Sequence, residues 1–169
     1  MKRILNPWLQ TEGYSCPGCC PTNDKGVKME FFEDGDDIVS YWQPREEWQS
    51  WRDTLHGGVQ CLLLDEIAGW VVFRKMQTIG VTSRMDTRYL HPVSIDGGPL
   101  EIRARIAKKM RNVLLIDAEI YQLGQLRTQA QATYFCAPRE KAMAEYGLSA
   151  CKTEDEQDML EVHPENSNL

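Results

Sequence analysis

The sequence predicts an α+β fold in which an antiparallel sheet of about six strands wraps around one long central helix. Two observations lead to this prediction. A stretch from about residue 58 to residue 75 is apolar on nearly every side, which indicates a helix that is buried on most faces. Strand patterns, in which apolar and polar residues alternate, lie before and after it. Because a lone helix among antiparallel strands must be covered, we expect the sheet to curl around it.

Six strands are predicted around this helix, and turn residues separate them. Two precede the helix, at residues 27–32 and 38–42, and the acidic, turn-rich residues 33–37 join them. Four follow as a meander, in which each strand lies beside the next: residues 81–90, 100–106, 113–121 and 126–136. Pro92 should end the first of these four, because proline cannot donate a ladder hydrogen bond.

The chain divides into three segments by composition. Residues 1–25 form an irregular, cysteine-containing N-terminal segment, because prolines and glycines interrupt it. Residues 26–137 hold the six strands and the long helix and form the folded domain. Residues 138–169 contain a short helix, at about 140–148, and an acidic tail from Thr153 that we expect to be mobile.

Length and charge exclude several classes of protein. At 169 residues the chain can form one domain with a sizeable core. A formal net charge of −6 argues against a nucleic acid partner. No apolar run reaches the length needed to cross a bilayer, and the N-terminus lacks the apolar core of a secretory signal. We therefore expect a cytoplasmic protein with no membrane partner.

Three of the six cysteines crowd into the sequence Cys16-Pro17-Gly18-Cys19-Cys20. Such a cluster can be half of a metal site, but no second CxxC or histidine pair follows at the spacing of zinc ligands. Reduced, structural cysteines are therefore the preferred interpretation, and we predict neither a metal nor a resident cofactor. A redox or metal role for this cluster stays open as an alternative hypothesis.

The sequence His56-Gly57-Gly58, followed by Asp65 in the apolar helix, indicates a reactive site. A helix that starts at two glycines leaves backbone amides uncovered, and its N-terminus bears a partial positive charge. These amides can hold a carbonyl oxygen that becomes negative during a reaction. A carboxylate in such a helix is costly unless it has a partner or a catalytic role. Together the two features predict acyl-transfer chemistry.

These motifs and the order of elements resemble the hotdog-fold acyl-CoA thioesterases, and most closely the phenylacetic-acid-degradation type. That type carries the sequence HGG and then an acidic residue in its central helix, and Asp65 stands at the matching position. Residues 80–82, 89–92, 100–104 and 130–135 are similar to the family's later strands. The resemblance covers roughly residues 14–137 and implies the hotdog fold and a thioester hydrolase.

The resemblance also implies roles for individual residues. Asp65 would be the nucleophile or the general base, the Gly57 and Gly58 amides would polarise the thioester carbonyl, and Thr82 would place the water or the carboxylate. CoA would enter only as part of the substrate. Members of the family work as dimers with sites at the subunit interface, which implies a homodimer or a dimer of dimers. Helix geometry agrees, because Gly58 and Asp65 lie on the order of 10 Å apart along one helix and cannot both reach one carbonyl.

Several of these residues have a plainer interpretation as well. His56 can cap the helix instead of acting in catalysis. Of the adjacent Asp65 and Glu66, only one is expected to face the substrate. A band of basic residues on the strands can contact the CoA phosphates or simply form a solvated face. The members of this basic band that we assign to CoA are Arg103, Arg105, Lys108, Lys109 and Arg111.

The predicted function is hydrolysis of an acyl-CoA or acyl-carrier thioester to a carboxylic acid and a free thiol. The alternative is a non-catalytic protein of the same fold that binds acyl-CoA or an acyl ligand. A hotdog hydratase or dehydratase resembles a different pattern, with a histidine shortly after the acid, and residues 66–75 contain no histidine. The sequence does not indicate the acyl group.

Overall fold

The computed structural model describes residues 1–148 and 150–156 and confirms the predicted α+β architecture. Residues 157–169, which hold most of the predicted acidic tail, lie outside the described residues. Seven strands and two α-helices occur in the described part of the chain. The strands are β1 (Lys2–Arg3), β2 (Phe32–Asp34), β3 (Asp37–Trp42), β4 (Gly80–Tyr89), β5 (Leu100–Met110), β6 (Val113–Gln122) and β7 (Gln125–Cys136). The helices are α1 (Gly57–Val71), which continues as a π-helical turn (Val72–Met76), and α2 (Arg139–Tyr146), and a 3-10 turn covers Glu46–Trp48.

The seven strands form one sheet in the order β1-β2-β3-β5-β6-β7-β4, and all neighbours are antiparallel. The prediction that all four later strands form a meander was wrong for β4. This strand pairs with β7, at the far edge of the sheet, and not with β5. The place beside β5 is taken by β3, and the connection from β4 runs past the start of α1, where Leu55 donates to the carbonyl of Val93 (2.9 Å).

Helix α1 lies against the inner face of the sheet, and this contact forms the core. In β6 every second residue is buried, so that Leu114, Ile116 and Ile120 face the helix. Leu64 and Ile67 are fully buried on the helix side. Burial of each such side chain contributes about 1.5–3 kcal/mol. The alternation in the sequence therefore located the core face correctly. No helix in the described residues is both long and apolar enough to cross a membrane.

The two ends of the described chain meet at the β1 edge. Ile4 forms a β-bridge with Thr153, which is completely buried. Lys2 pairs with Asp155 at 2.6 Å, and Arg3 pairs with Glu154 at 3.1 Å. Asp155 and Glu154 therefore have basic partners at the other end of the chain, and the mobility of the tail from Thr153 stays a prediction. The predicted division at residues 25 and 137 stays a prediction.

A second ion-pair cluster fixes residue 156 to the end of the long helix. The Arg74 guanidinium donates to Glu33 at 2.8 Å and to Glu156 at 2.7 Å, and Lys75 donates to Glu33 at 2.6 Å. Arg74 and Glu33 keep only 12% and 18% of their side-chain surface exposed. Because an unpaired buried charge is destabilising, loss of either side chain should destabilise the fold.

Candidate active site

Asp65 lies on α1 and is held by two hydroxyl groups from the neighbouring strands. Thr82 of β4 donates to Asp65 Oδ1 at 2.7 Å, and Tyr134 of β7 donates to the same oxygen at 2.8 Å. Burial, and next the charge of Asp65, raises the pKa of Tyr134 well above its usual range, so its hydroxyl stays a donor. Within the described residues Asp65 Oδ2 makes no hydrogen bond, which leaves one carboxylate oxygen for another molecule.

The carboxylate faces a cleft of about 340 Å³ between α1, the two strands and the N-terminal segment. Trp8 and Phe73 form an aromatic wall, with ring centroids 4.6 Å apart. Thr82, Asp65 and Tyr134 supply the polar groups on the other side. An apolar cleft with a few convergent polar groups is the usual form of a small-molecule site.

Glu66 lines the same cleft as Asp65, and which of the two adjacent acids faces a substrate stays a prediction. The indole of Trp70 donates to Glu66 Oε1 at 3.1 Å, and the Cys16 thiol lies 3.4 Å from Glu66 Oε2. Adjacent residues diverge by about 100° around a helix. Both can reach one cleft here because the N-terminal segment, with Cys16, covers the side of α1 that Glu66 faces.

His56 is the N-cap residue of α1, and its side chain accepts a hydrogen bond from one of the two amides that were predicted to contact the substrate. The Gly58 N–H donates to His56 Nδ1 at 2.9 Å, so the Gly58 amide is not free for a substrate oxygen. His56 therefore caps the helix in this structure, while the assignments of Gly58 as an oxyanion donor and of His56 to the catalytic site stay predictions. The Gly57 N–H has no acceptor among the described residues.

Gly57 opens onto a second cleft, of about 360 Å³, which Tyr89 and the residues after it line. The Tyr89 hydroxyl donates to the Gly57 carbonyl at 3.0 Å and lies 2.9 Å from the Cys61 thiol. Burial and the hydrogen bond with Cys61 raise the pKa of Tyr89 to about 12. None of the described residues lines both this cleft and the Asp65 cleft. One chain therefore presents the carboxylate and the free amide at two separate places, about 12 Å apart along the helix.

The basic band assigned to CoA phosphates does not form one surface. Arg103 is held by Glu101, Asp34 and Asp37, the last two at 3.2 Å each, and Arg105 lies 4.0 Å from Asp37.

A bulge in β5 precedes the other three basic residues. The register shifts between Ile106 and Lys108, so Lys109 lies opposite the buried Leu114 and Lys108 lies opposite Leu115. Because successive residues point to opposite faces of a strand, the two lysines point to different sides of the sheet. Lys108, Lys109 and Arg111 have no ion-pair partner in the described part of the chain.

Sequence reasoning missed Tyr134 and Glu66 as members of the cleft. Tyr134 could have been found, because it continues the inward-facing positions of Ala130 and Ala132 in β7. A tyrosine on such a face needs a partner for its hydroxyl. The contact of Glu66 with Cys16 joins residues that lie 50 positions apart, and no spacing rule indicates it.

Comparison with known proteins gives a match to one family model. Residues 53–128 match the model described as "Thioesterase superfamily". The matched residues contain α1 with Asp65, β4 with Thr82, and the strands β5 and β6. No match to a curated protein was found.

Several solved structures are similar to the chain. A thioesterase superfamily protein shares 20% identity over 71% of this chain, with a TM-score of 0.66, and the chain spans 59% of that protein's length. A hypothetical thioesterase protein from Streptococcus pneumoniae, solved with coenzyme A, shares 23% identity over 64% of this chain and 88% of its own, with a TM-score of 0.60. A protein from Streptococcus mutans bound to acetyl CoA shares 20% identity over 64% and 88%, with a TM-score of 0.59.

At these identities the solved structures show a shared fold, and the family model adds a match in sequence. The phenylacetic-acid-degradation type stays a prediction, because the match is to the superfamily as a whole. Residues 53–128 of this chain match the thioesterase superfamily model, and the fold of the chain is the hotdog fold.

Proposed function

We propose that this protein hydrolyses an acyl-CoA or acyl-carrier thioester to a carboxylic acid and a free thiol, with Asp65 as the general base or the nucleophile. The observation that supports this most is the way in which Asp65 is held. Two hydroxyls fix one carboxylate oxygen, and the other stays open to an apolar-walled cleft. A positioned carboxylate of this kind can activate water or attack a carbonyl carbon. The match to the thioesterase superfamily model supports thioester hydrolysis at the level of reaction class.

The reaction needs a donor for the carbonyl oxygen as well as a base. The free Gly57 N–H, at the positive end of α1, suits this task. The departing CoA thiolate is a good leaving group, so no strong acid is needed on its side. The solved structures that hold coenzyme A or acetyl CoA support CoA as the thiol part of the substrate.

The separation of the two clefts supports a dimer. Asp65 and Gly57 of one chain cannot meet on one thioester, so the free amide must come from a second copy. Strand β4 offers a place for that copy, because it is an edge strand of ten residues, and Thr82 and Tyr89 both lie on it. We therefore propose a homodimer, or a dimer of dimers, with each site formed by both chains.

A thiol-release assay tests the proposed function directly. The purified protein is offered a panel of short, long and aromatic acyl-CoAs, and free thiol is measured with a chromogenic reagent. We expect turnover of at least one class at rates above those of heat-denatured protein. Binding of acyl-CoA, measured by calorimetry, without thiol release across the panel would support the non-catalytic alternative instead.

The salt dependence of KM tests the basic residues. If Lys108 or Lys109 contacts CoA phosphates, KM should rise with salt while kcat changes little, because contacts remote from the reaction affect binding alone. Substitution of each lysine by Gln should mimic high salt, and Lys25→Gln, at an exposed position, is the control. An unchanged KM in both variants would show that the phosphates bind elsewhere.

A further inference from the structure

The N-terminal CxxC sequence and the long helix bring three metal-ligand atoms together. The Sγ atoms of Cys16 and Cys19 and a carboxylate oxygen of Glu66 all lie within 4.8 Å of one another. Cys19 is buried, and Cys16 and Glu66 are half-buried. Cys20 is not part of this group, because its thiol contacts the Tyr14 carbonyl at 3.5 Å instead. The sequence indicates only the two thiols as metal ligands, and the fold brings the Glu66 carboxylate beside them as a third ligand.

The distances between the Cys16 and Glu66 ligand atoms suit an ion with tetrahedral coordination. With zinc–sulfur bonds of about 2.3 Å and zinc–oxygen bonds of about 2.0–2.2 Å, two ligand atoms of one ion lie roughly 3.5–3.8 Å apart. Cys16 Sγ lies 3.4 and 3.6 Å from the two Glu66 oxygens. Cys16 Sγ and the Glu66 carboxylate therefore already stand close to the separation that a bound ion requires, and Cys19 Sγ lies within 4.8 Å of both.

The backbone around the two thiols is built to admit the carboxylate. A Cβ atom at Gly18 would lie only 2.2 Å from Glu66 Cδ, so any other residue at position 18 would push this side chain away. The Gly18 N–H donates to Cys16 Sγ at 3.3 Å, and the loop is fixed by the hydrogen bond from Met29 to the Gly18 carbonyl at 2.8 Å.

Further hydrogen bonds hold the other two ligands in place. The Trp70 indole donates to Glu66 at 3.1 Å, and the Tyr14 hydroxyl lies 2.8 Å from Cys19 Sγ. Supporting contacts of this kind orient metal ligands and stabilise their charged forms.

The charges of the group call for a cation. Glu66 forms no ion pair with a basic residue in the described part of the chain. A divalent cation would displace both thiol protons, and three anionic ligands would then surround it with a net charge of −1.

We propose that Cys16, Cys19 and Glu66 bind a divalent ion of the zinc class, with a fourth position that faces the cleft of Asp65. Thiolate ligands favour zinc among the common divalent ions. Three protein ligands with one open position are the pattern of zinc sites that take water or a substrate oxygen. All three ligands line the same cleft as Asp65, so that fourth position is accessible to the molecule that the cleft holds.

Metal content of the reduced protein tests this proposal without any use of activity. The full chain is loaded with Zn²⁺ in the presence of a phosphine reductant and dialysed, and zinc is measured by mass spectrometry. We expect close to one ion per chain, and an affinity that rises with pH as the thiols lose their protons. Loading with Co²⁺ should give a sulfur-to-cobalt charge-transfer absorption.

Variants locate the ion. Cys16→Ser, Cys19→Ser and Glu66→Gln should each lower the affinity by more than the roughly 10–100-fold that loss of a supporting contact costs. Cys136→Ser, at a half-buried thiol outside the group, is the matched control and should bind as the natural protein does. Because Cys19 is buried, Cys19→Ser can impair folding. Glu66→Gln leaves both thiols in place, and circular dichroism checks that this variant is folded. Absence of zinc from the reduced, folded protein, equal binding by these variants, or a Cys16–Cys19 disulfide in a protein that takes no zinc when reduced would each overturn the proposal.

Discussion

Asp65→Asn should lower kcat by about 10²–10⁴ and leave the melting temperature nearly unchanged, because loss of a positioned base costs about this much. The substitution is well matched to the structure. The amide oxygen of asparagine can still accept from Thr82 and Tyr134, so the side chain keeps its place. Its amide nitrogen would replace the open oxygen Oδ2 and can only donate. The variant therefore removes the base without removing the contacts that position it.

Graded controls separate the carboxylate from its supports. Thr82→Val and Tyr134→Phe each remove one hydrogen bond and leave the other, so both should cost less than Asp65→Asn. Asp24→Asn, at an exposed acid outside β4, should have no effect on turnover. Rates are measured by thiol release and folding by thermal denaturation. Normal turnover in a folded Asp65→Asn variant would remove Asp65 from the mechanism.

Gly57→Pro should also abolish most of the activity, because proline has no backbone N–H to donate to the carbonyl oxygen of the substrate. Proline at the first position of a helix is well tolerated, and His56 before it already has a compatible conformation (φ −57°, ψ 132°). Loss of one donor to a developing oxyanion costs about 10²–10³ in kcat. Gly57→Ala is the control, because it keeps the amide while it places a Cβ atom 3.3 Å from the Tyr89 ring. It should retain most of the activity.

A mixture of the two inactive variants tests whether each site uses both chains. In a dimer of Asp65→Asn with Gly57→Pro, one site carries both substitutions and the other carries neither. Random mixing makes about half of the dimers mixed, so activity should recover to about a quarter of the natural value. Native mass spectrometry would confirm that mixed dimers form. Mixed dimers without recovered activity would show that the site does not combine Asp65 with Gly57 of the partner.

The sequence predicted the parts of the fold that depend on local patterns. The apolar helix and the alternation in β5, β6 and β7 determine which side of each element is buried, and the structure agrees. The place of β4 was not predictable in this way, because its alternation suits a neighbour at β5 as well as one at β7. The neighbour is decided by β3, which occupies the side of β5 that a meander would have needed.

The candidate site, like the fold, was predictable from the sequence only in part. The contact between Thr82 and Asp65 followed from the resemblance, whereas the occupied Gly58 amide depends on the rotamer of His56, which no sequence pattern specifies. The ion pairs of Arg103 were also not predictable from the sequence, because its partners Asp34 and Asp37 lie on strands that precede the helix.

The two edges of the sheet differ in how well they could pair with a strand of another copy. At one edge, β1 has only two residues, both charged, and the chain's own residues 153–155 bind against it. At the other edge, β4 presents ten residues with no further strand beside it in the described part of the chain. Sheets that expose pairing edges on both sides can add copies end to end and grow into filaments. If copies pair through β4 as we propose, a sheet with one blunted edge would pair once through a two-fold axis, and the contact of the two chain ends at β1 would then prevent growth into filaments.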